Sequence, residues 1–212
     1  AASACARRCD GARLSRASDS ALPPMARGAV ANLFIEPLLV PPAHHERQVQ
    51  LRVRAVGLNF RDVLNVLGEY PGDPGPPGGD TAGIGGDTGA SMDHAIGNAV
   101  LGVAAAPLAS LALCDGRLLA RKPLALSFEQ ASTLPVTWST TNAAVERGRM
   151  QGGMLTMIHA AAGGVGLKAV EYAQWLCVRA LGTAGRPHKH AQLRTSGVLA
   201  TCSSRDGVAF TT

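Results

Sequence analysis

The 212-residue chain has few aromatic residues, no long apolar run and no closely paired cysteines. Aromatic residues make up 4% of the chain, which argues against a surface that stacks nucleobases. No stretch approaches the roughly 20 apolar residues that a membrane span needs. The five cysteines form no Cys-x-x-Cys pair, so free thiols in a reducing compartment are the simplest interpretation. We therefore expect neither a nucleic acid nor a membrane as a partner.

The charge of the chain is modestly basic. Its 20 Lys and Arg against 15 Asp and Glu give a net charge of +5, and these basic residues are scattered more than clustered. An anionic small molecule accounts for the excess as well as a nucleic acid does. The length and the 46% apolar content suffice for one large or two small domains with a real core.

A glycine-rich turn dominates the C-terminal half. Residues 159–170 read HAAAGGVGLKAV, after the apolar run Met154–Ile158, which predicts a buried strand, and before apolar residues at helical spacing. Gly163 and Gly164 allow a tight turn and the approach of a pyrophosphate, while Gly166 lets the helix pack closely on the strand. A purely structural turn also explains a lone glycine triplet. The flanking strand and helix favour the first βα unit of a nucleotide-binding domain.

The choice of nucleotide follows from a missing acid. An NAD site usually places Asp or Glu about 20 residues past the glycines, where it binds the ribose 2′-hydroxyl. Between Glu171 and Asp206 this chain has no acidic residue, and it carries several basic ones: Arg179, Arg186, His188, Lys189, His190 and Arg194. Because a 2′-phosphate binds to basic side chains, the sequence predicts NADPH. A solvated basic loop is the alternative, but it does not explain the missing acid.

The N-terminal half is predicted to be rich in short strands. Residues 49–56 alternate apolar and polar side chains, as in a half-buried antiparallel strand. Asn59 is predicted to cap a short amphipathic helix, and a Pro/Gly-rich loop with Tyr70 follows. Residues 83–97 are polar and glycine-rich, and we expect them to pair poorly as strands. The other predicted elements are strands at 100–103 and 118–120, helices from Ser127 and over 137–146, and strands near 154–158, 178–183 and 198–202.

This pattern predicts three parts of the chain. Residues 1–28, rich in Ala, Arg and Ser, are expected to be a disordered linker, with an organelle transit peptide as the alternative. Residues 29–140 should form a mostly β domain, and residues 141–212 an α/β nucleotide-binding domain. The chain lacks an initiator Met and stops soon after its third nucleotide-domain strand, so we expect a fragment of a longer protein. A cytoplasmic location is expected, or import into an organelle if the leader is a transit peptide.

Several motifs resemble those of one enzyme family. The segments VRAVGLNFRDVL at 53–64 and LGEYPG at 67–72 resemble the enoyl reductase domain of type I polyketide synthases, as do LPVT at 134–137 and HAAAGGVG at 159–166. The related domain of animal fatty acid synthase is similar at residues 204–206. These domains belong to the zinc-free branch of the medium-chain dehydrogenase/reductase superfamily. The resemblance implies a GroES-like β domain followed by a Rossmann domain, a doubly wound parallel sheet truncated here to its first half.

The resemblance also implies an activity. It is the NADPH-dependent reduction of an enoyl thioester, in which a hydride goes to the β carbon and a proton to the α carbon. The substrate would be bound to an acyl carrier protein, beside neighbouring synthase domains. A non-catalytic NADPH-binding remnant and a free-standing quinone or alkenal oxidoreductase are the alternatives. No Cys or His lies between His45 and His94, so no zinc site is expected.

The resemblance assigns roles to individual residues. Tyr70, Lys189 and Asp206 match positions discussed as proton donors or as their supports, and Thr140 matches a threonine beside the nicotinamide. Lys189 could instead bind the cofactor phosphate, and Asp206 could orient Lys189 or a water. An exposed loop Tyr, a surface Lys and a turn-capping Asp are the ordinary alternatives. The remaining residues expected to bind the cofactor are Ala162, Gly163, Gly164, Val165, Gly166, Arg186 and Arg205.

Overall fold

The computed structural model describes residues 27–33, 47–88 and 96–205, and the chain divides into two compact units between Pro135 and Val136. The predicted leader, residues 1–28, lies outside the described residues except for its last two. Within the described part of the chain, no helix is long and apolar enough to cross a membrane.

The first unit contains an antiparallel sheet of five strands in the order β4-β1-β2-β3-β5. Its strands are β1 Gln48–Gly57, β2 Asp80–Thr88, β3 Ala99–Val103, β4 Leu111–Asp115 and β5 Leu119–Arg121. Helix α1 (Phe60–Leu67) follows β1, and helix α2 (Phe128–Ser132) follows β5. Asn59 and Ser127 are the N-cap residues of these helices, as the sequence predicts. Two short 3₁₀ helices cover Val30–Asn32 and Gly116–Leu118.

The core of the first unit lies on one face of β1. Val49 and Leu51 are completely buried, and Arg52 and Arg54 are exposed. This alternation confirms the predicted half-buried strand. Val100 of β3 and Ala112 of β4 belong to the same apolar cluster.

The prediction that residues 83–97 pair poorly is wrong for its first part. Strand β2 pairs with β1 and with β3, so it lies inside the sheet. A Cβ atom at Gly83 would lie 2.2 Å from the carbonyl oxygen of Arg52. Since neighbouring backbone approaches so closely, glycine is what this strand requires at that point.

The second unit contains a parallel sheet of order β6-β7-β8. Its strands are β6 Leu155–Ile158, β7 Arg179–Ala184 and β8 Ala200–Ser203. Its helices are α3 Pro135–Arg147, whose first residue belongs to the first unit, α4 Gly164–Trp175 and α5 Pro187–Thr195. The three predicted strands and the helix predicted over 137–146 are confirmed. Val170 and Ala173 of α4 and Leu193 of α5 share one buried cluster with Ala180 of β7. Both helices therefore cover the same face of the sheet.

Strand β6 is not buried as predicted. Ile158 is buried, but Leu155 is 53% and Met157 is 42% exposed. Successive side chains of a strand point to opposite faces, so Leu155 and Met157 point away from the face that contains Ile158. The apolar run at 154–158 is suited to a strand with both faces buried. In the described part of the chain, only the face of β6 that carries Ile158 is buried.

Candidate cofactor and proton-donor sites

The turn between β6 and α4 brings backbone very close to a helix. Ala160 has a φ of +49°, and its carbonyl oxygen accepts a hydrogen bond from the N–H of Gly163 at 2.8 Å. A Cβ atom at Gly166 would lie 2.4 Å from that oxygen and 2.6 Å from the Cα of Ala161. Only a glycine at position 166 therefore lets the first turn of α4 pack against residues 160–161.

The N-terminus of α4 presents unused hydrogen-bond donors. The N-cap is Gly163, which has no side chain to cap the helix. Among the described residues, the N–H groups of Gly164, Val165 and Gly166 have no acceptor. A Cβ atom at Gly164 would come no nearer than 3.8 Å to another group, the Cγ2 of Thr137. Free N–H groups and the positive end of a 12-residue helix fit a pyrophosphate.

Thr183 of β7 stabilises this turn through hydrogen bonds, and it is a residue that the sequence did not predict. It is completely buried, and its Oγ1 accepts a hydrogen bond from the N–H of Ala160 at 3.1 Å. Its carbonyl oxygen accepts another from the N–H of Ala161 at 2.9 Å, and its Oγ1 lies 3.5 Å from Nδ1 of His159. The available signal was a lone hydroxyl residue in a strand that is apolar after its first residue, Arg179.

The end of β7 carries a basic cluster formed by Arg186, Lys189 and Arg205. Arg186 is the N-cap of α5, and Lys189 lies in the first turn of that helix, which contains no acidic residue. A Cβ atom at Gly185 would lie 3.2 Å from Nε of Arg205, so Arg205 lies against the backbone next to Arg186. Among the described residues, none of these three side chains forms an ion pair. The cluster can therefore bind a phosphate group.

Tyr70 lies just beyond the C-terminus of α1 in the first unit. Its N–H donates a hydrogen bond to the carbonyl oxygen of Leu64 at 3.2 Å. The guanidinium of Arg61 lies 5.5 Å from the centre of the half-buried Tyr70 ring. In the described part of the chain the Tyr70 hydroxyl has no hydrogen-bond partner, so it is free to donate a proton.

The other predicted residues are placed less directly. Thr140 is exposed on α3, and Thr137, one turn earlier on that helix, is the residue beside Gly164. Asp206 lies outside the described residues. Tyr70 belongs to the first unit and Lys189 to the second.

Across residues 27–33, 47–88 and 96–205, no group of three or more His, Cys, Asp or Glu side chains could hold a metal ion.

Comparisons with known proteins find relatives among polyketide synthases, enoyl reductases and quinone oxidoreductases. No family model matches it. It is 38% identical over 174 residues to erythronolide synthase EryA2 from Saccharopolyspora erythraea, an alignment that covers 81% of this chain and 5% of the synthase. The crystal structure of CurK enoyl reductase matches with a TM-score of 0.77 and 31% identity over 85% of this chain and 58% of that chain.

A third match is the quinone oxidoreductase from Thermus thermophilus, whose structures include a complex with NADPH. It has a TM-score of 0.64 and 31% identity, over 79% of this chain and 55% of that one. These matches confirm the predicted fold class, a GroES-like β part followed by a Rossmann part. The chain is thus similar in sequence to a polyketide synthase and in structure to an enoyl reductase and a quinone oxidoreductase.

Proposed function

We propose that the protein reduces an enoyl thioester with NADPH as part of a polyketide synthase. The observation that carries the proposal is the likeness to CurK enoyl reductase, with 31% identity and a TM-score of 0.77. The chain spans 58% of that protein, so the activity of the whole domain is part of the proposal. Erythronolide synthase supports the synthase context and, with it, an acyl-carrier-bound substrate and neighbouring synthase domains as partners.

The residues of the second unit fit a phosphorylated dinucleotide. The free N–H groups of Gly164, Val165 and Gly166 would hold the pyrophosphate, and Ala162 and Gly163 would line the turn before it. Arg186, Lys189 and Arg205 would hold the 2′-phosphate at the end of β7. We also assign Thr140 and Thr137 of α3 to this side of the site, because Thr137 neighbours Gly164. When bound, NADPH supplies the hydride that reduces the β carbon.

The proton for the α carbon must come from the protein or from water. Tyr70 is our first candidate, because its ring is held by Arg61 and its hydroxyl has no partner in the described part of the chain. A phenol that has given its proton to an enolate can recover it from water. Lys189 is the second candidate, either as a donor or as a phosphate ligand, and Asp206 would support it.

The main alternative is a quinone oxidoreductase, which the likeness to the Thermus thermophilus protein favours. The two activities can be separated with the whole protein and NADPH. We expect NADPH oxidation with a 2-methyl enoyl thioester and little or none with a quinone. Oxidation with the quinone alone would overturn the enoyl reductase proposal and support the alternative. A lack of both activities, with NADPH still bound, would support a cofactor-binding remnant.

We predict that the basic cluster selects the phosphorylated cofactor. Replacing Arg186 and Lys189 together with Ala should weaken NADPH binding far more than NADH binding. Each lost charged hydrogen bond to the 2′-phosphate should cost about 1.5–3 kcal/mol. The measurement is the pair of dissociation constants from cofactor fluorescence, with Arg117→Ala, a surface change in the first unit, as the control. Equal weakening of NADPH and NADH binding would show that the cluster does not bind the 2′-phosphate.

A further inference from the structure

We propose that Arg61 is a positioning residue, which acts in the reaction by holding the ring of Tyr70. This inference rests on the proposed function, because it gives Arg61 a role only if Tyr70 supplies the α-proton. It concerns a residue that touches neither substrate nor cofactor in the proposal above. Its basis is the unusual way in which helix α1 is packed.

Helix α1 buries polar side chains and exposes apolar ones. Asp62 and Asn65 are 6% and 2% exposed, while Phe60 and Val63 are 75% and 47% exposed. A helix that packs on an apolar core does the reverse. Most buried polar groups are hydrogen-bonded, because an unpaired one is costly, and every buried polar atom of these two side chains except Oδ1 of Asn65 has a partner. The partners of Asp62 and Asn65 therefore show what this face of α1 is built to hold.

Asp62 accepts one hydrogen bond from the N–H of the N-cap residue Asn59 at 2.8 Å, and the other bonds of the two side chains reach the loop that follows α1. Oδ1 of Asp62 accepts a hydrogen bond from the N–H of Gly78 at 2.8 Å. Nδ2 of Asn65 donates one to the carbonyl oxygen of Gly75 at 3.0 Å. The backbone between Tyr70 and β2 is thus fastened to one helix by side chains that are almost fully buried. The loop is therefore held against α1 at Gly75 and Gly78.

Arg61, a third polar residue of α1, contacts both this loop and the ring of Tyr70. Its Nη2 donates a hydrogen bond to the carbonyl oxygen of Pro74 at 2.7 Å, and its guanidinium lies over the Tyr70 ring at 5.5 Å from the centroid. The backbone bond from Tyr70 to Leu64 fixes the Cα position but leaves the ring free to change rotamer. The contact with Arg61 restrains the ring, and because a proton donor must be aimed at its acceptor, we expect it to matter in catalysis.

The charge of Arg61 suits this role. A guanidinium over the face of a phenol is attracted by the π electrons of the ring. Because Arg61 is anchored at Pro74 by a separate hydrogen bond, it can restrain the ring without using the hydroxyl. The Tyr70 hydroxyl consequently stays available for the substrate.

The test is a double-mutant cycle of Arg61→Gln and Tyr70→Phe in the whole protein. NADPH oxidation is measured at saturating 2-methyl enoyl thioester, together with the chirality of the product. We expect Arg61→Gln to lower kcat on the order of tenfold, with KM little changed, and to erode the product's stereochemical purity. In the Tyr70→Phe background the same change should alter kcat by less than about twofold, because the hydroxyl that Arg61 aims is already gone.

Other outcomes separate the two ideas. If Tyr70→Phe slows reduction and Arg61→Gln slows it by the same factor with or without the Tyr70 hydroxyl, Arg61 does not act through Tyr70 and the inference fails alone. If Tyr70→Phe leaves rate and stereochemistry unchanged, both the donor assignment and the inference fail. Arg61→Lys keeps a cation and a donor and should restore most of the stereochemical purity. Arg61→Met, which keeps the length of the side chain without its charge, is the second test variant if Arg61→Gln does not fold, and Arg117→Gln is the control for a surface arginine.

Discussion

The two sheets of this protein differ in how completely they bury the apolar side chains of their strands. In the antiparallel sheet Val49 and Leu51 are completely buried. In the parallel sheet strand β6, a nearly continuous apolar run, leaves Leu155 and Met157 about half exposed. Helices α4 and α5 share a single buried cluster with the strands, so the other face of the parallel sheet has no such cover among the described residues. Apolar residues in a strand therefore indicate that burying them is favourable. The helices that connect the strands determine how many faces of the sheet are buried.

Leucine truncation in each sheet should give the largest difference. Leu51→Ala removes a fully buried side chain and leaves a cavity, so we expect the free energy of unfolding to fall by about 2–5 kcal/mol. Leu155→Ala acts on a side chain that is 53% exposed and should cost less than about 1 kcal/mol. Urea unfolding followed by circular dichroism measures both variants. A loss at Leu155 as large as that at Leu51 would show that the β6 face is covered in solution.

This difference marks the limit of what the sequence could predict. Strand and helix positions in the second unit follow from local patterns, because the glycine turn and the apolar spacing of α4 are features of neighbouring residues. Burial depends on residues far apart in sequence. For that reason two valines in the apolar spacing of the same helix differ in burial: Val165 is 39% exposed and Val170 is 2% exposed.

The candidate sites divide in the same way. The glycine motif predicts the N-terminus of α4, and the absence of acidic residues predicts the basic cluster. Both predictions are possible because each feature consists of residues close together in sequence. Thr183 was missed because its role depends on a hydrogen bond to Ala160, 23 residues earlier. Arg61 was missed because its contact with Tyr70 becomes visible only after α1 turns its polar face toward the loop.

A smaller effect distinguishes two glycines of the nucleotide turn. At Gly166 a methyl group would lie 2.4 Å from a carbonyl oxygen, so Gly166→Ala must shift α4 away from the covered face of the sheet. We expect a loss of about 1–3 kcal/mol, which exceeds the gain in helix propensity of up to about 1 kcal/mol. Gly164→Ala, with 3.8 Å to its nearest neighbour, should leave stability within about 0.5 kcal/mol. Equal losses in thermal unfolding would contradict this account of how α4 packs on its sheet.

The smallest effect concerns the ionisation of a thiol in the buried layer of the antiparallel sheet. Cys114 of β4 is 6% exposed, and its Sγ donates a hydrogen bond to the carbonyl oxygen of Val49 at 3.3 Å. Burial, assisted by the charge of Asp115, raises the pKa of this thiol to about 12. The folded protein therefore keeps the proton at a pH where the unfolded chain, with an ordinary cysteine pKa of about 8.5–9, has lost it.

Unfolding then releases a proton between about pH 9 and pH 12, so the free energy of unfolding falls as the pH rises through this window. At pH 10 the contribution should be on the order of 1 kcal/mol, since one pH unit corresponds to about 1.4 kcal/mol. The measurement is urea unfolding at pH 8 and pH 10 for the natural protein and for Cys114→Ala, which lacks the thiol. The natural protein should lose more stability between the two pH values than the variant does, because other groups titrate equally in both. An identical loss would mean that water reaches the Cys114 thiol, and that the covered face of the antiparallel sheet is packed less closely than the burial of its side chains indicates.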